Sequence, residues 1–171
     1  MLLGVLRSLP PLVLLGFMGS GKTTVGRLAA DRAGTSFADL DELIEVDAGR
    51  SVQEIFQQCG EASFRELEAA RLPAALVPGR VLAVGGGAPM HDASWEELHR
   101  RALTVWLDAP LPVLLARAEV ATRPLLQGRA VAELESLHAH RCRRYAEADH
   151  RVDASPPAPA VAEQVVKLWD G

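Results

Sequence analysis

The chain has 171 residues, 49% of them hydrophobic and 23% charged, enough to bury one core and form a single domain. Its formal net charge of -4 supplies no broad basic field, which argues against nucleic acid or an acidic membrane as partners. An anionic ligand must then be caught by specific residues.

No apolar run approaches the ~20 residues that cross a bilayer. Met1 to Leu15 is apolar, but it holds one basic residue, Arg7, is interrupted by two prolines and lacks a small-residue cleavage site, unlike a signal peptide. Cys59 and Cys142 form neither a CxxC pair nor a metal-type spacing with histidines, so both read as packing or surface residues of a protein in a reducing compartment. A cytoplasmic location is expected.

Leu12 to Leu15 is a short apolar run bounded by glycine, the pattern of a strand buried on both faces of a parallel sheet. A helix is predicted from Lys22 to about Arg32, with Gly34 as its stop. Thr35 to Asp39 suggests a second strand and Leu40 to Ala48 a helix ended by Gly49. Ser51-Val52-Gln53-Glu54 is a capping box that opens a helix stopping near Gly60, and Glu61 to Leu76 continues as another. Val81 to Val84 is the third apolar run, followed by Gly85-Gly86-Gly87. Ser94 is expected to cap the next helix, which leads to a strand at Leu103 to Leu107. Pro110 to Ala118 reads as helical, Glu119 to Arg129 as a polar loop and Ala130 to Ala148 as a long helix. A short strand at Arg151 to Asp153 and a helix from Val161 to Trp169 close the chain. Strands alternating with helices call for an α/β fold with a parallel sheet.

Gly16-Phe17-Met18-Gly19-Ser20-Gly21-Lys22-Thr23 matches the full G-x-x-x-x-G-K-[ST] pattern between a predicted strand and a predicted helix. Backbone N–H groups of such a loop cradle phosphates, and the helix N-terminus adds its dipole. Lys22 supplies positive charge to the β- and γ-phosphates, and Thr23 offers a hydroxyl to Mg²⁺. The loop alone does not separate kinases from other nucleotide hydrolases.

Asp39-Leu40-Asp41 ends the second predicted strand on the same sheet edge, where open α/β folds bind ligands. One carboxylate can hold Mg²⁺ through water while the other accepts a proton from an attacking hydroxyl; alternatively both cap the next helix. Arg65 and Glu68, at i and i+3, taken alone read as an ordinary surface ion pair. The three glycines after the third strand let backbone approach a substrate closely. Arg123 in the polar loop suits neutralising charge on a transferred group, and Arg65 with Arg141 suits bidentate capture of a carboxylate. None of the five histidines, His91, His99, His138, His140 and His150, falls in these motifs. Trp95, Trp106 and Trp169 read as packing residues.

In order and spacing, the phosphate loop, Asp39-Leu40-Asp41, Gly60-Glu61-x-x-Phe64-Arg65-x-x-Glu68, Gly85-Gly86-Gly87, Arg123-Pro124-Leu125-Leu126 and Arg141-x-x-x-Tyr145 resemble the shikimate kinase family from about Leu12 to Asp153. The resemblance implies a P-loop kinase fold: a five-stranded parallel sheet of order 2-3-1-4-5, helices on both faces and a lid. It implies one kinase domain over 1–171, with an acceptor-binding helical insertion at about 40–76 and the lid at about 119–129. It also implies ATP and Mg²⁺ as cofactors and phosphorylation of the shikimate 3-hydroxyl, on the way to chorismate and the aromatic amino acids, by a protein expected to be a monomer.

By matching position, Lys22, Asp41 and Arg123 would be catalytic. Gly19, Ser20, Gly21, Lys22, Thr23 and Thr24 would hold ATP together with Arg117, stacked on adenine, and Arg123. Asp41, Arg65, Gly86, Gly87 and Arg141 would hold shikimate, and Thr23 with Asp39, the latter through water, would hold the metal. The chain departs from the family pattern in a slightly short segment between Arg117 and Arg123. It departs again at Ala154-Ser155-Pro156-Pro157, where the family encloses adenine.

Overall fold

The computed structural model describes residues 9–118 and 130–171, so the expected lid at 119–129, with Arg123, lies outside the described residues. Strands β1 (Leu12–Leu15), β2 (Phe37–Asp39), β3 (Val81–Ala83), β4 (Leu103–Asp108) and β5 (His150–Asp153) form one sheet in the order β2-β3-β1-β4-β5. Each neighbouring pair is parallel, with Leu12 opposite both Val81 and Leu103. All four residues of β1 are shut off from solvent, as a strand covered by helices on both faces must be. Parallel pairing fixes the functional geometry, because every strand delivers its following loop to one edge. The phosphate loop, Asp39, Gly85, Asp108 and Asp153 therefore share the carboxyl edge.

Seven α-helices are described: α1 (Lys22–Ala33), α2 (Leu40–Ala48), α3 (Val52–Ala75), α4 (Asp92–Arg101), α5 (Leu111–Arg117), α6 (Val131–Tyr145) and α7 (Ala158–Asp170). The expected break near Gly60 is a kink inside α3, where Gly60 takes φ 81° and turns the second half of the helix, carrying Arg65 and Glu68, toward the sheet edge. Its capping box is present: the Ser51 amide donates to Glu54 Oε2 at 2.7 Å, and Ser51 Oγ accepts from the Glu54 amide at 3.2 Å. Trp169 of α7 donates to the Pro10 carbonyl at 2.9 Å and pins the end of the chain beside the start of β1. Trp95, Trp106 and Trp169 are all buried in the core.

Three expectations shift. Helix α4 starts at Asp92, capped at His91, so Ser94 lies inside it with a buried hydroxyl rather than at its end. A 3-10 turn, Ala88–Met90, precedes it and was not foreseen. Helix α7 begins at Ala158, three residues before the expected Val161, because Pro157 and Pro159 suit the first turn, where the missing N–H costs nothing.

Helix α1 lies close against the sheet because Gly26 presents no side chain: a Cβ there would run into the Phe37 ring and sit 3.3 Å from Leu14 Cδ1. Gly26→Ala should therefore cost about 1–3 kcal/mol through overpacking. Urea unfolding with an unchanged m-value checks this, and a midpoint equal to wild type would contradict it.

Candidate active site

The phosphate loop is shaped by backbone that only glycine adopts without strain. Gly19 and Gly21 have φ of 79° and 85°, and a Cβ on Gly19 would collide with the Leu114 carbonyl of α5. The loop is closed by a bond from the Ser20 amide to the Phe17 carbonyl at 3.1 Å. Lys22 Nζ donates to the carbonyls of Gly16 at 2.8 Å and Phe17 at 3.2 Å, lying across the cradle it would share with a phosphate.

Next to it, Thr23 Oγ1 donates to Asp39 Oδ2 at 2.8 Å, while Asp39 Oδ1 accepts from the Asp41 amide at 3.0 Å and caps α2. The capping reading of Asp39 holds, and its second carboxylate oxygen faces Thr23 of the phosphate loop. Thr23 and Asp39 thus form a small all-oxygen donor set, the chemistry that suits Mg²⁺ retaining most of its waters. Asp41 is only half-buried as a residue, yet its Oδ1 is closed off from solvent without a hydrogen-bond partner. Burial, with the nearby charges of Asp39 and Glu68, pushes the Asp41 carboxyl up to about 7, against the opposing pull of Lys22 and Arg65.

Across from Asp41 stands a wall of arginines. Arg65 lies over the Phe64 ring at 5.3 Å, pairs with Glu61 at 3.1 Å and with Glu68 more closely, and keeps only 16% of its side chain exposed. Glu68 is 1% exposed, so the Arg65–Glu68 pair is a buried brace, not the surface ion pair that its spacing also allowed. Burial pushes the Glu68 carboxyl up. Arg141, from α6, is 4% exposed, sits 5.6 Å from the centre of the Phe17 ring and leaves its Nε without a partner. Burial lowers its pKa, but an arginine starts high enough to stay charged. The two guanidinium groups reach the glycine run from separate helices: a Cβ on Gly86 would lie 2.9 Å from Arg141 Nη1, and one on Gly87 would meet the Arg65 guanidinium. A Cβ on Gly85 would meet Glu68 Oε1 at 2.6 Å and Asp41 Oδ1 at 3.0 Å. Each of the three glycines thus leaves room for a charged partner.

These groups line one cavity of about 580 Å³, which holds Gly19 to Thr24, Asp39, Asp41, Arg65, Gly86, Gly87, Arg117 and Arg141 together. Of the site residues expected from the sequence, only Arg123 lies outside the described residues. Phe56, Ala158 and Val161 also line the cavity and belong to no site motif of the sequence, where apolar side chains at helical positions read as core. Arg117 donates to the carbonyls of Ala154 at 2.7 Å and Ser155 at 2.8 Å, drawing the divergent Ala154-Ser155-Pro156-Pro157 segment onto the cavity wall. Tyr145, fully buried, donates to the Gly86 carbonyl and fixes the glycine run. Both contacts join residues far apart in sequence.

A phosphate cradle and a carboxyl facing it across a metabolite-sized cavity define a small-molecule kinase of the P-loop class. Comparison supplies the branch. Residues 18–169 match the family model described as shikimate kinase. A shikimate kinase from Gloeobacter violaceus is 47% identical over 160 residues, 91% of this chain and 90% of that protein. One from Symbiobacterium thermophilum is 45% identical over 93% of this chain and 96% of its own length. The structure of shikimate kinase from Acinetobacter baumannii in complex with shikimate superposes with a TM-score of 0.86 at 33% identity, covering 95% of this chain and 93% of that one. The chain belongs to the shikimate kinase family, ATP-dependent kinases that transfer phosphate to shikimate.

The raised Asp41 pKa has a stability signature. An unfolded aspartate ionises near 4 and the folded one near 7, so the folded state holds the proton more tightly. The stability this gives is complete below about pH 4 and lost as pH rises through 7. Asp41→Asn should therefore melt above wild type at pH 8 and lose that advantage by pH 4. A difference in melting temperature that does not change with pH would contradict the assignment.

Proposed function

We propose that this chain is one kinase domain that phosphorylates the 3-hydroxyl of shikimate with ATP, on the route to chorismate and the aromatic amino acids, and that it works as a cytoplasmic monomer with no nucleic acid or membrane partner. Among the described residues no helix is long and apolar enough to cross a membrane. The observation that carries the acceptor assignment is the convergence of Arg65 and Arg141, from separate helices, on Gly87 and Gly86 beside Asp41. A hydroxylated carboxylate fits such a wall: the arginines take its carboxylate in charge-assisted bonds and Asp41 takes a hydroxyl.

In the reaction, the shikimate 3-oxygen forms a bond to the γ-phosphorus as the bond from that phosphorus to the β-bridging oxygen of ATP breaks, and ADP leaves. The hydroxyl proton passes to the Asp41 carboxylate, whose pKa of about 7 suits a base at neutral pH. Lys22 leaves the carbonyls of Gly16 and Phe17 to neutralise charge on the transferred group, and amides of Gly19 to Thr24 cradle the phosphates. Thr23 and Asp39 would hold Mg²⁺, Asp39 through water, and the ion would supply positive charge to the phosphates. Arg117 presents its guanidinium to adenine beside Ala154 and Pro156. The expected lid at 119–129, with Arg123, lies outside the described residues, and the helices at about 40–76 form the acceptor side.

This division of labour separates the variants. Lys22→Met should lower kcat by orders of magnitude while the fold is kept, as circular dichroism would verify. Arg65→Ala and Arg141→Ala each leave a desolvated carboxylate without its partner, a loss of about 2–5 kcal/mol or roughly 30-fold to several thousandfold in kcat/KM for shikimate. Calorimetric affinity for an ATP analogue should hardly change. Loss of nucleotide binding with shikimate affinity intact would move these arginines to the ATP side.

A further inference from the structure

Behind the phosphate loop lies a cluster of side chains that phosphoryl transfer does not use. Asp108 at the end of β4 and His138 and Cys142 of α6 each offer one ligand atom, and those atoms all lie within 4.8 Å of one another. From the sequence, Cys142 reads as a packing or surface residue with no metal-type spacing to any histidine, and the structure corrects that expectation. His138 stands four residues before it on α6, and i and i+4 share one face of a helix and can reach a common atom. The His138 Nε2 and Cys142 Sγ atoms are 3.4 Å apart. Two ligands of a tetrahedral ion with bonds of about 2.0–2.3 Å stand about 3.3–3.8 Å apart, so this pair already has the required separation.

We propose that Asp108, His138 and Cys142 form a binding site for a soft divalent transition metal of the Zn²⁺ class, with three protein ligands and a fourth position open to water. A thiolate, an imidazole and a carboxylate form a donor set that selects Zn²⁺ over Mg²⁺, which prefers oxygen alone. All three residues are partly exposed, so an ion has a way in. The second ring of contacts suits the role. Arg151 donates to Asp108 Oδ2 from Nε at 3.0 Å and from Nη2, which orients the carboxylate while leaving its other oxygen for an ion. With the thiol deprotonated by the metal, two ligand anions outweigh the single positive charge of Arg151. The His138 ring also meets the Phe17 ring edge-on at 5.0 Å, so the site adjoins the phosphate loop without sharing a ligand with it.

The test uses the whole protein with Mg²⁺ in excess, so that oxygen-only sites are filled, and titrates Co²⁺ as a spectroscopic stand-in for Zn²⁺. Wild type should develop a thiolate-to-cobalt charge-transfer band that saturates at one equivalent and is abolished by Zn²⁺. Cys142→Ser should lose the band and Cys59→Ser should keep it. His138→Gln, which leaves the thiol in place, should weaken Co²⁺ binding by at least about tenfold. Absence of the band in wild type, its survival in Cys142→Ser, its loss in Cys59→Ser or an undiminished affinity in His138→Gln would each overturn the proposal. Shikimate-dependent ADP release by the same samples reports separately on phosphoryl transfer.

Discussion

The carboxylate of Asp39 accepts one hydrogen bond from the hydroxyl of Thr23, on the phosphate-loop helix, and one from the amide of Asp41, on the acceptor helix. Through these two bonds the end of β2 is tied to the loop that follows β1, although β3 lies between the two strands in the sheet. Parallel pairing is what brings them to one edge, and the short reach of a carboxylate is what holds them in register there. Lengthening or removing that side chain would release Asp41 from its place beside the phosphate loop, whatever became of the sheet. Proximity of this kind is the main resource of an enzyme that must bring an oxygen in line with a phosphorus atom.

The acceptor side is held in a different state. Asp41 Oδ1, Glu68 Oε1 and Arg141 Nε are buried without partners, close to a glycine run that offers no side chains to meet them. Groups left this way each carry a desolvation cost, and a ligand that satisfies them recovers it, while one lacking the matching polar groups does not. Under the proposed acceptor assignment, the wall favours an anionic, hydroxylated ligand over small apolar ones. The buried Arg65–Glu68 brace and the Tyr145 bond to the Gly86 carbonyl keep that wall from collapsing onto itself.

The sheet and the phosphate loop were legible in the sequence because their signals are local: apolar runs for strands shut off on both faces, and a glycine-lysine pattern in a strand-to-helix turn. Gly60 was legible for the same reason, since a positive φ favours glycine. The burial of the Arg65–Glu68 pair was not, because i and i+3 spacing is identical on a solvated face and in a buried brace, and only the packing of α3 separates the two. Arg117 meeting Ala154 and Ser155, and Asp108 meeting His138 and Cys142, join residues more than 25 positions apart, which no local pattern encodes. Ser94 misled because Ser-x-x-Glu resembles a cap wherever it falls, and here the chain had already entered the helix at Asp92.

The choice of acceptor is the claim on which the rest turns. ADP release measured with ATP and Mg²⁺ against shikimate, gluconate and nucleoside monophosphates addresses it directly, since all three share the phosphate donor and differ in what Arg65, Arg141 and Asp41 must hold. Turnover with shikimate far above that with the other acceptors is the predicted result. Turnover led by gluconate or a nucleoside monophosphate, or none with shikimate, would contradict it.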